Sequence, residues 1–300
     1  MARSATAGVT HVTPARRAST YLYQHAKTRL RLLIAAPVAW LGLVYIASLL
    51  MLLITALWTV DEFTGDTKVV WNLNNIANLF TNSLYSVVGV RTIGIALAVT
   101  IIDVLLALPV AFFMSKVASP RMRNILAISV LLPLWASYLV KAYAWRSVLS
   151  NKGILQWVLE PFGLDSPGYS LIGASLTLGY MWLPYVILPI YAGLEKVPGN
   201  LLEASSDLGA STFTTIRRVV LPIVLPSIIA GSIFAFSLTL GDYITINIVG
   251  GASQMLGNLI YTNVGTANNL PMASALALIP IAIMFVYLSA VKRTGALDNL

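Results

Sequence analysis

Five ionisable side chains lie inside long apolar stretches of this sequence: Arg91, Asp103, Lys141, Arg146 and Asp242. A charge in hydrocarbon needs a partner, a cavity or an interface, so these positions are the first candidates for function. Lys141 and Asp242 lie at similar depth, each roughly one to two turns from the same end of its segment. Two readings follow: Asp242 neutralises Lys141 in a structural ion pair, or Asp242 meets a cationic solute. Tyr138, Trp145, Trp182, Tyr185 and Tyr243 supply aromatic faces near the same end, suited either to cation–π contact or to an interfacial aromatic belt. Arg91 and Arg146 lie within about two turns of segment ends, where long side chains reach the interface by snorkelling. Asp103 lies deeper, with no partner legible in the sequence, and its role stays open.

Several chemistries are absent. The chain has no Cys, and its two histidines, His11 and His25, both fall in the N-terminal tail. No metal site of Cys or paired-His type is expected, and none is assigned. None of the seven lysines follows a glycine, so the loop that cradles nucleotide phosphates is missing. No serine elbow of Gly-x-Ser-x-Gly type occurs either. The chain is read as non-catalytic.

The elements that must position these residues are membrane spans. With 58% hydrophobic and 10% charged residues and a mean hydropathy of +0.81, the sequence has too little polar surface to cover a soluble globule. Apolar runs of span length fall at about 32–58, 86–114, 125–148, 170–194, 221–249 and 272–291. The predicted fold is therefore all-α and polytopic, with six transmembrane helices behind a polar tail, residues 1–30. Each run contains proline: Pro37, Pro109, Pro133, Pro184 with Pro189, Pro226 and Pro280. Interior prolines free backbone carbonyls and bend helices, as suits a pathway that changes shape.

Charge sets the orientation. The tail through Arg31, the loops holding Lys116 to Arg123 and Lys196 to Arg218, and the C-terminal Lys292 and Arg293 share 14 Lys and Arg, against Lys68 and Lys152 on the other side. Both termini and the 195–220 loop are thereby expected in the cytoplasm, and the net charge of +8 reflects topology rather than nucleic-acid binding. Asp61, Glu62, Asp66, Glu160 and Asp165 form an acidic rim on the opposite face.

The 195–220 loop carries the most informative motif. Pro198-Gly199-Asn200 breaks the preceding helix, Asn200 is placed to cap a new one, and Glu203 follows three residues later. Gly209 is suited to the left-handed turn that ends it, Ser211 or Thr212 to capping a second helix, and Pro222 to opening the next apolar run. The expected local structure is helix, sharp turn, helix. Glu203-Ala204-Ser205, then Gly209, then Val219 and Leu221-Pro222 resemble the signature of ABC importer permeases: Glu-Ala-Ala, three residues, Gly, nine residues, Ile, one residue, Leu-Pro. Ser205 stands at the third position, where Ala is usual, and Val219 stands for Ile. The resemblance implies that Glu203, Ala204, Ser205, Asp207, Gly209, Leu221 and Pro222 belong to a coupling helix that docks on ATPase subunits.

Two further stretches are similar to the spermidine/putrescine branch of that family: 131–145, and 234–245 with Val249-Gly250-Gly251. Ile246 and Leu270 depart from it, standing where Pro and Trp are frequent. The resemblance covers most of residues 30–295. It implies a permease fold and a second permease, similar or identical. Two ATP-binding subunits would hold the ATP and magnesium, so that no cofactor sits in this chain. An extracytoplasmic solute-binding protein and a bacterial inner membrane complete the expectation. A polyamine is the implied solute, with Asp242, Tyr243, Tyr138, Lys141, Trp145, Trp182 and Tyr185 as pathway candidates. The competing class is an ion-coupled transporter or channel working without ATPase subunits, in which Asp103 and Asp242 would be ion sites.

Overall fold

The computed structural model of the chain describes residues 23, 25–61 and 63–293. The expectations placed on Arg3, Arg16, Arg17 and Glu62 lie outside the described residues. The chain divides into two compact units, residues 1–54 and 55–300.

Most of the described residues of the first unit lie in α1 (Ala26–Thr55), a 30-residue helix that contains Pro37. Its side chains are mostly exposed along their length, from Leu33 to Leu53.

The second unit begins with a two-stranded antiparallel hairpin, β1 (Thr59–Val60) with β2 (Thr67–Lys68), in which Thr59 faces Lys68 and Val60 faces Thr67. The short helix α2 (Asn74–Thr81) follows, then α3 (Ser83–Phe112), whose last turn loosens into a π-turn over Phe113–Val117. Asn82 caps α3 by accepting from the Leu84 N–H. Next come α4 (Pro120–Trp135) and α5 (Tyr138–Leu149), bent against one another by 97°. After α6 (Ile154–Leu159), the chain crosses in α7 (Leu171–Glu195), turns through α8 (Gly199–Asp207) and α9 (Thr212–Thr215), and passes a second π-turn, Ile216–Val220. It returns in α10 (Leu221–Leu240), then breaks into α11 (Ile244–Val249) and α12 (Leu256–Val264) before α13 (Leu270–Arg293). Among the described residues, five helical stretches are long and apolar enough to cross a membrane, and the bent α4–α5 pair makes a sixth candidate.

Two apolar runs read as continuous spans are broken. The 125–148 run breaks at Ala136 and Ser137, whose backbones leave the helical region, with Ala136 three residues beyond the helix-weakening Pro133. The 221–249 run ends at Leu240 because Asp242 turns its carboxylate onto the Thr245 N–H, a local bond that competes with helix continuation. The same helix also begins earlier than expected, since the stretch from Thr212 to Leu240 runs on through the π-turn.

The core is the mutual packing of α3, α7 and α10. On α3, Ala96, Val99, Thr100, Asp103, Ala107 and Ala111 recur every three or four residues and are all buried. Helices in lipid gain little from hydrophobic transfer, so close approach of small residues is what holds such a seam. Glycine sets that distance between α7 and α10. A Cβ on Gly231 would lie 3.1 Å from the Val186 Cα, and one on Gly193 would lie 2.6 Å from the Ser227 Cβ.

Candidate functional site

Two polar regions stand at opposite ends of the α7–α10 pair. At one end, the breaks after α4 and α10 bring α5 against α11 and both against α7. Tyr138, the first residue of α5, donates its hydroxyl to the Asp242 carboxylate and also bonds the Thr245 hydroxyl. Asp242 accepts from the Thr245 N–H at 2.9 Å and from its hydroxyl at 3.3 Å, so the carboxylate caps α11 while it anchors α5. It is 8% exposed. The Thr245 hydroxyl lies 3.8 Å from the Met181 sulfur of α7, which closes the cluster.

Aromatic rings extend from this cluster toward the surface. Tyr138 stacks on Trp182 with centroids 5.8 Å apart, Trp182 meets Tyr185 at 6.0 Å, and Tyr185 meets Phe234 at 6.4 Å. Trp182 is buried, whereas Tyr185 and Phe234 are exposed, so the row leads from the surface to the carboxylate. The Trp182 indole N–H is buried without a hydrogen-bond partner. Trp145 packs separately on Tyr180 at 5.5 Å, and Tyr243 stacks on Tyr261 at 4.7 Å, away from the row. Four of the seven pathway candidates, Asp242, Tyr138, Trp182 and Tyr185, therefore form the row and its end, while Trp145, Tyr243 and Lys141 do not join it.

Of the two readings of Asp242, the ion pair with Lys141 does not form in this structure. The ion pairs among the described residues are Lys68 with Asp61 and Arg123 with Glu195. The physical reason is the α4–α5 bend, which places Tyr138 at the carboxylate and carries Lys141 on around α5. Arg91 and Arg146 also do more than snorkel. Arg91 donates to the Gln254 carbonyl, and Arg146 donates to the Ile248 carbonyl while lying 5.2 Å over the Tyr169 ring. Both satisfy carbonyls at and just beyond the C-terminal end of α11, where intrahelical donors run out.

Thr245 and Phe234 were missed as site residues. Asp242 with Thr245 three positions on, directly after a helix-ending glycine, is the signal that an N-cap leaves in a sequence. Asp103 is fully buried where α3 meets α7. Neither carboxylate oxygen has a hydrogen-bond partner, and a Cβ on Gly179 would lie 3.1 Å from one of them.

At the other end lies the Glu203 loop. Helix α8, Gly209 at φ +73° and α9 give the expected helix, sharp turn, helix. Asn200 is not the cap: Pro198 holds that position with its φ fixed at −65°, which leaves Asn200 as the second helical residue. Ser211 caps α9 through its hydroxyl on the Thr214 N–H. Glu203, Ala204 and Asp207 are exposed on α8, and Leu208 and Phe213 project beside the turn at 88% and 70% exposure. Ser205 faces inward, where its hydroxyl bonds that of Thr215 at 2.8 Å and ties α8 to α9. An alanine could not make that bond. Leu221 and Pro222 stand where the π-turn passes into α10, and Leu221 lines an apolar cavity there.

Known proteins resemble this chain in sequence and in fold. The chain is 42% identical to the inner membrane ABC transporter permease protein YdcU of Escherichia coli K12, with 94% of this chain and 95% of YdcU covered. It is 36% identical to the spermidine/putrescine transport system permease protein PotB of Haemophilus influenzae, over 73% of this chain and 79% of PotB. Among solved structures, a bacterial ABC transporter for import of the acidic polysaccharide alginate superposes with a TM-score of 0.66 at 17% identity, covering 92% of this chain and 99% of the other, which establishes a shared fold. The family model for binding-protein-dependent transport system inner membrane components matches residues 30–293, and the chain belongs to that family, the permease subunits of ABC importers.

Proposed function

We propose that this permease forms half of the path by which a bacterial ABC importer takes a polyamine across the inner membrane. The observation that carries the reading is the aromatic row Phe234–Tyr185–Trp182–Tyr138 ending on the buried Asp242 carboxylate. A flexible polycation needs π faces along its length and negative charge to offset its ammonium groups. Since Tyr138 and Thr245 already bond Asp242, the carboxylate acts on the solute through its charge, and the rings make the contact. The spermidine/putrescine permeases among its relatives support the same solute class.

In this reading the Glu203 loop is the coupling surface, with exposed Glu203, Asp207, Leu208 and Phe213 meeting an ATPase subunit. Two such subunits bind ATP and magnesium, and the permease itself catalyses nothing. A second permease completes the path, and an external solute-binding protein delivers the solute to the Asp242 end. The Lys and Arg bias puts the Glu203 loop and both termini in the cytoplasm.

Reconstitution of the complete transporter in liposomes tests this. ATP-dependent uptake of labelled putrescine or spermidine, absent without the ATPase subunits, is the expected result. Uptake by the permeases alone under an ion gradient would establish the ion-coupled class instead.

A further inference from the structure

We propose that Lys116 is a positioning residue for coupling, one that fastens the second span to the root of the Glu203 loop so that movement of the loop is carried into α3. The inference rests on the reading of that loop as the ATPase-docking surface. Lys116 sits in the π-turn that ends α3, and its ammonium donates to the Val197 carbonyl at 2.8 Å. Val197 is 2% exposed and lies between the last turn of α7 and the start of α8. A cation on a carbonyl just past a helix C-terminus also meets the negative end of the helix dipole, which makes this contact a strong one.

A second cation joins the same corner. Arg123 of α4 donates to the Ser115 carbonyl at 3.2 Å and reaches Glu195 at 3.5 Å, while the Tyr191 hydroxyl donates to Glu195 at 2.6 Å. The Arg123–Glu195 pair is exposed on both sides and so contributes little by itself. Lys116 is therefore the firm tie between the α3 end and the foot of α7.

The surroundings are built to yield. Lys116 lies in one π-turn, and the chain leaves the Glu203 loop through the other, Ile216–Val220. Such turns hold a longer, looser hydrogen-bonded ring than an α-helix and recur where function requires local rotation. The second borders an apolar pocket of about 340 Å³ through Ile216 and Val220, and Leu108, Pro109 and Phe112 at the end of α3 line its other side. A push on α8 thus reaches Val197, and through Lys116 it draws on α3 at a point where the helix can turn.

The test uses the complete transporter in liposomes with Lys116→Met and Lys116→Arg, scoring complex yield, solute-stimulated ATPase and ATP consumed per solute. The expected result for Lys116→Met is near-normal yield, stimulation reduced about fivefold or more and a higher ATP cost per solute, with substantial recovery in Lys116→Arg. A merely structural lysine would instead lower yield while surviving complexes keep the normal ATP-to-solute ratio, and that outcome overturns the proposal. Gly209→Val is assayed alongside. If it leaves stimulation intact, the docking reading fails and takes this proposal with it. If Gly209→Val uncouples and Lys116→Met does not, Lys116 alone loses its role.

Discussion

The Asp242 cluster yields a quantitative prediction because its partners are defined. Tyr138 donates to a buried carboxylate that also accepts from the Thr245 N–H and hydroxyl. A hydrogen bond to a charged group contributes about 1.5–3 kcal/mol, so Tyr138→Phe and Asp242→Asn are each expected to destabilise the permease by about that amount. The two should be strongly non-additive. Either change removes the charge-assisted bond, since an amide at position 242 keeps only neutral hydrogen bonds, and the double variant should fall short of the summed single effects by about 1–3 kcal/mol. Lys141 provides the contrast: with no ion pair to Asp242, Lys141→Met and Asp242→Asn should combine additively within about 0.5 kcal/mol. The assay is denaturant unfolding of the purified transporter in mixed micelles, run on the two double-variant cycles in parallel. Rescue of Asp242→Asn by Lys141→Met, together with additivity between Asp242 and Tyr138, would refute this account of the cluster.

Other perturbations follow from the same geometry. Gly231→Ala places a methyl group 3.1–3.2 Å from Val186 backbone atoms across the α7–α10 seam and should cost about 1–3 kcal/mol, read as a lower unfolding midpoint of the complex. Gly209 holds φ +73° with open space around its α-carbon, so Gly209→Asn should be tolerated in uptake while Gly209→Val is not, the difference arising from backbone strain alone. In the hairpin outside the spans, Lys68 and the Phe63 and Thr64 N–H groups hold the Asp61 carboxyl down at about 2 rather than 3.8. Because the folded value is depressed, the hairpin's stabilisation from this group is complete above the ordinary value and is lost as pH falls through about 2. Lys68→Met should move the midpoint of a carbon-13 carboxyl titration of Asp61 upward; an unmoved midpoint would remove Lys68 as its cause.

Local chemistry made some of this molecule legible without coordinates. Gly209 can take a left-handed turn that a β-branched residue cannot, and Ser211 can cap the helix after it, so the helix–turn–helix of the Glu203 loop follows from residues within ten positions of one another. The spans followed from length and composition in the same way, because a bilayer demands a long apolar helix wherever the chain crosses. Asn200 shows where that reasoning slips: Pro198, two residues earlier and with its φ already fixed, holds the cap position instead.

Tertiary contact decided the rest. Lys141 and Asp242 sit at matching depths and carry opposite charges, which is all a sequence can report of a pair so far apart in the chain. Their meeting depended on the direction in which α5 leaves the break at Ala136–Ser137, and a 97° bend presents Tyr138 to the carboxylate instead. The burial of Asp103 against Gly179 and the strap from Lys116 to Val197 are of the same kind, joining residues 76 and 81 positions apart. Capping, turns and hydrophobic length are properties of a few consecutive residues, whereas which side chain reaches a given carboxylate or carbonyl is fixed by how whole helices bend and cross.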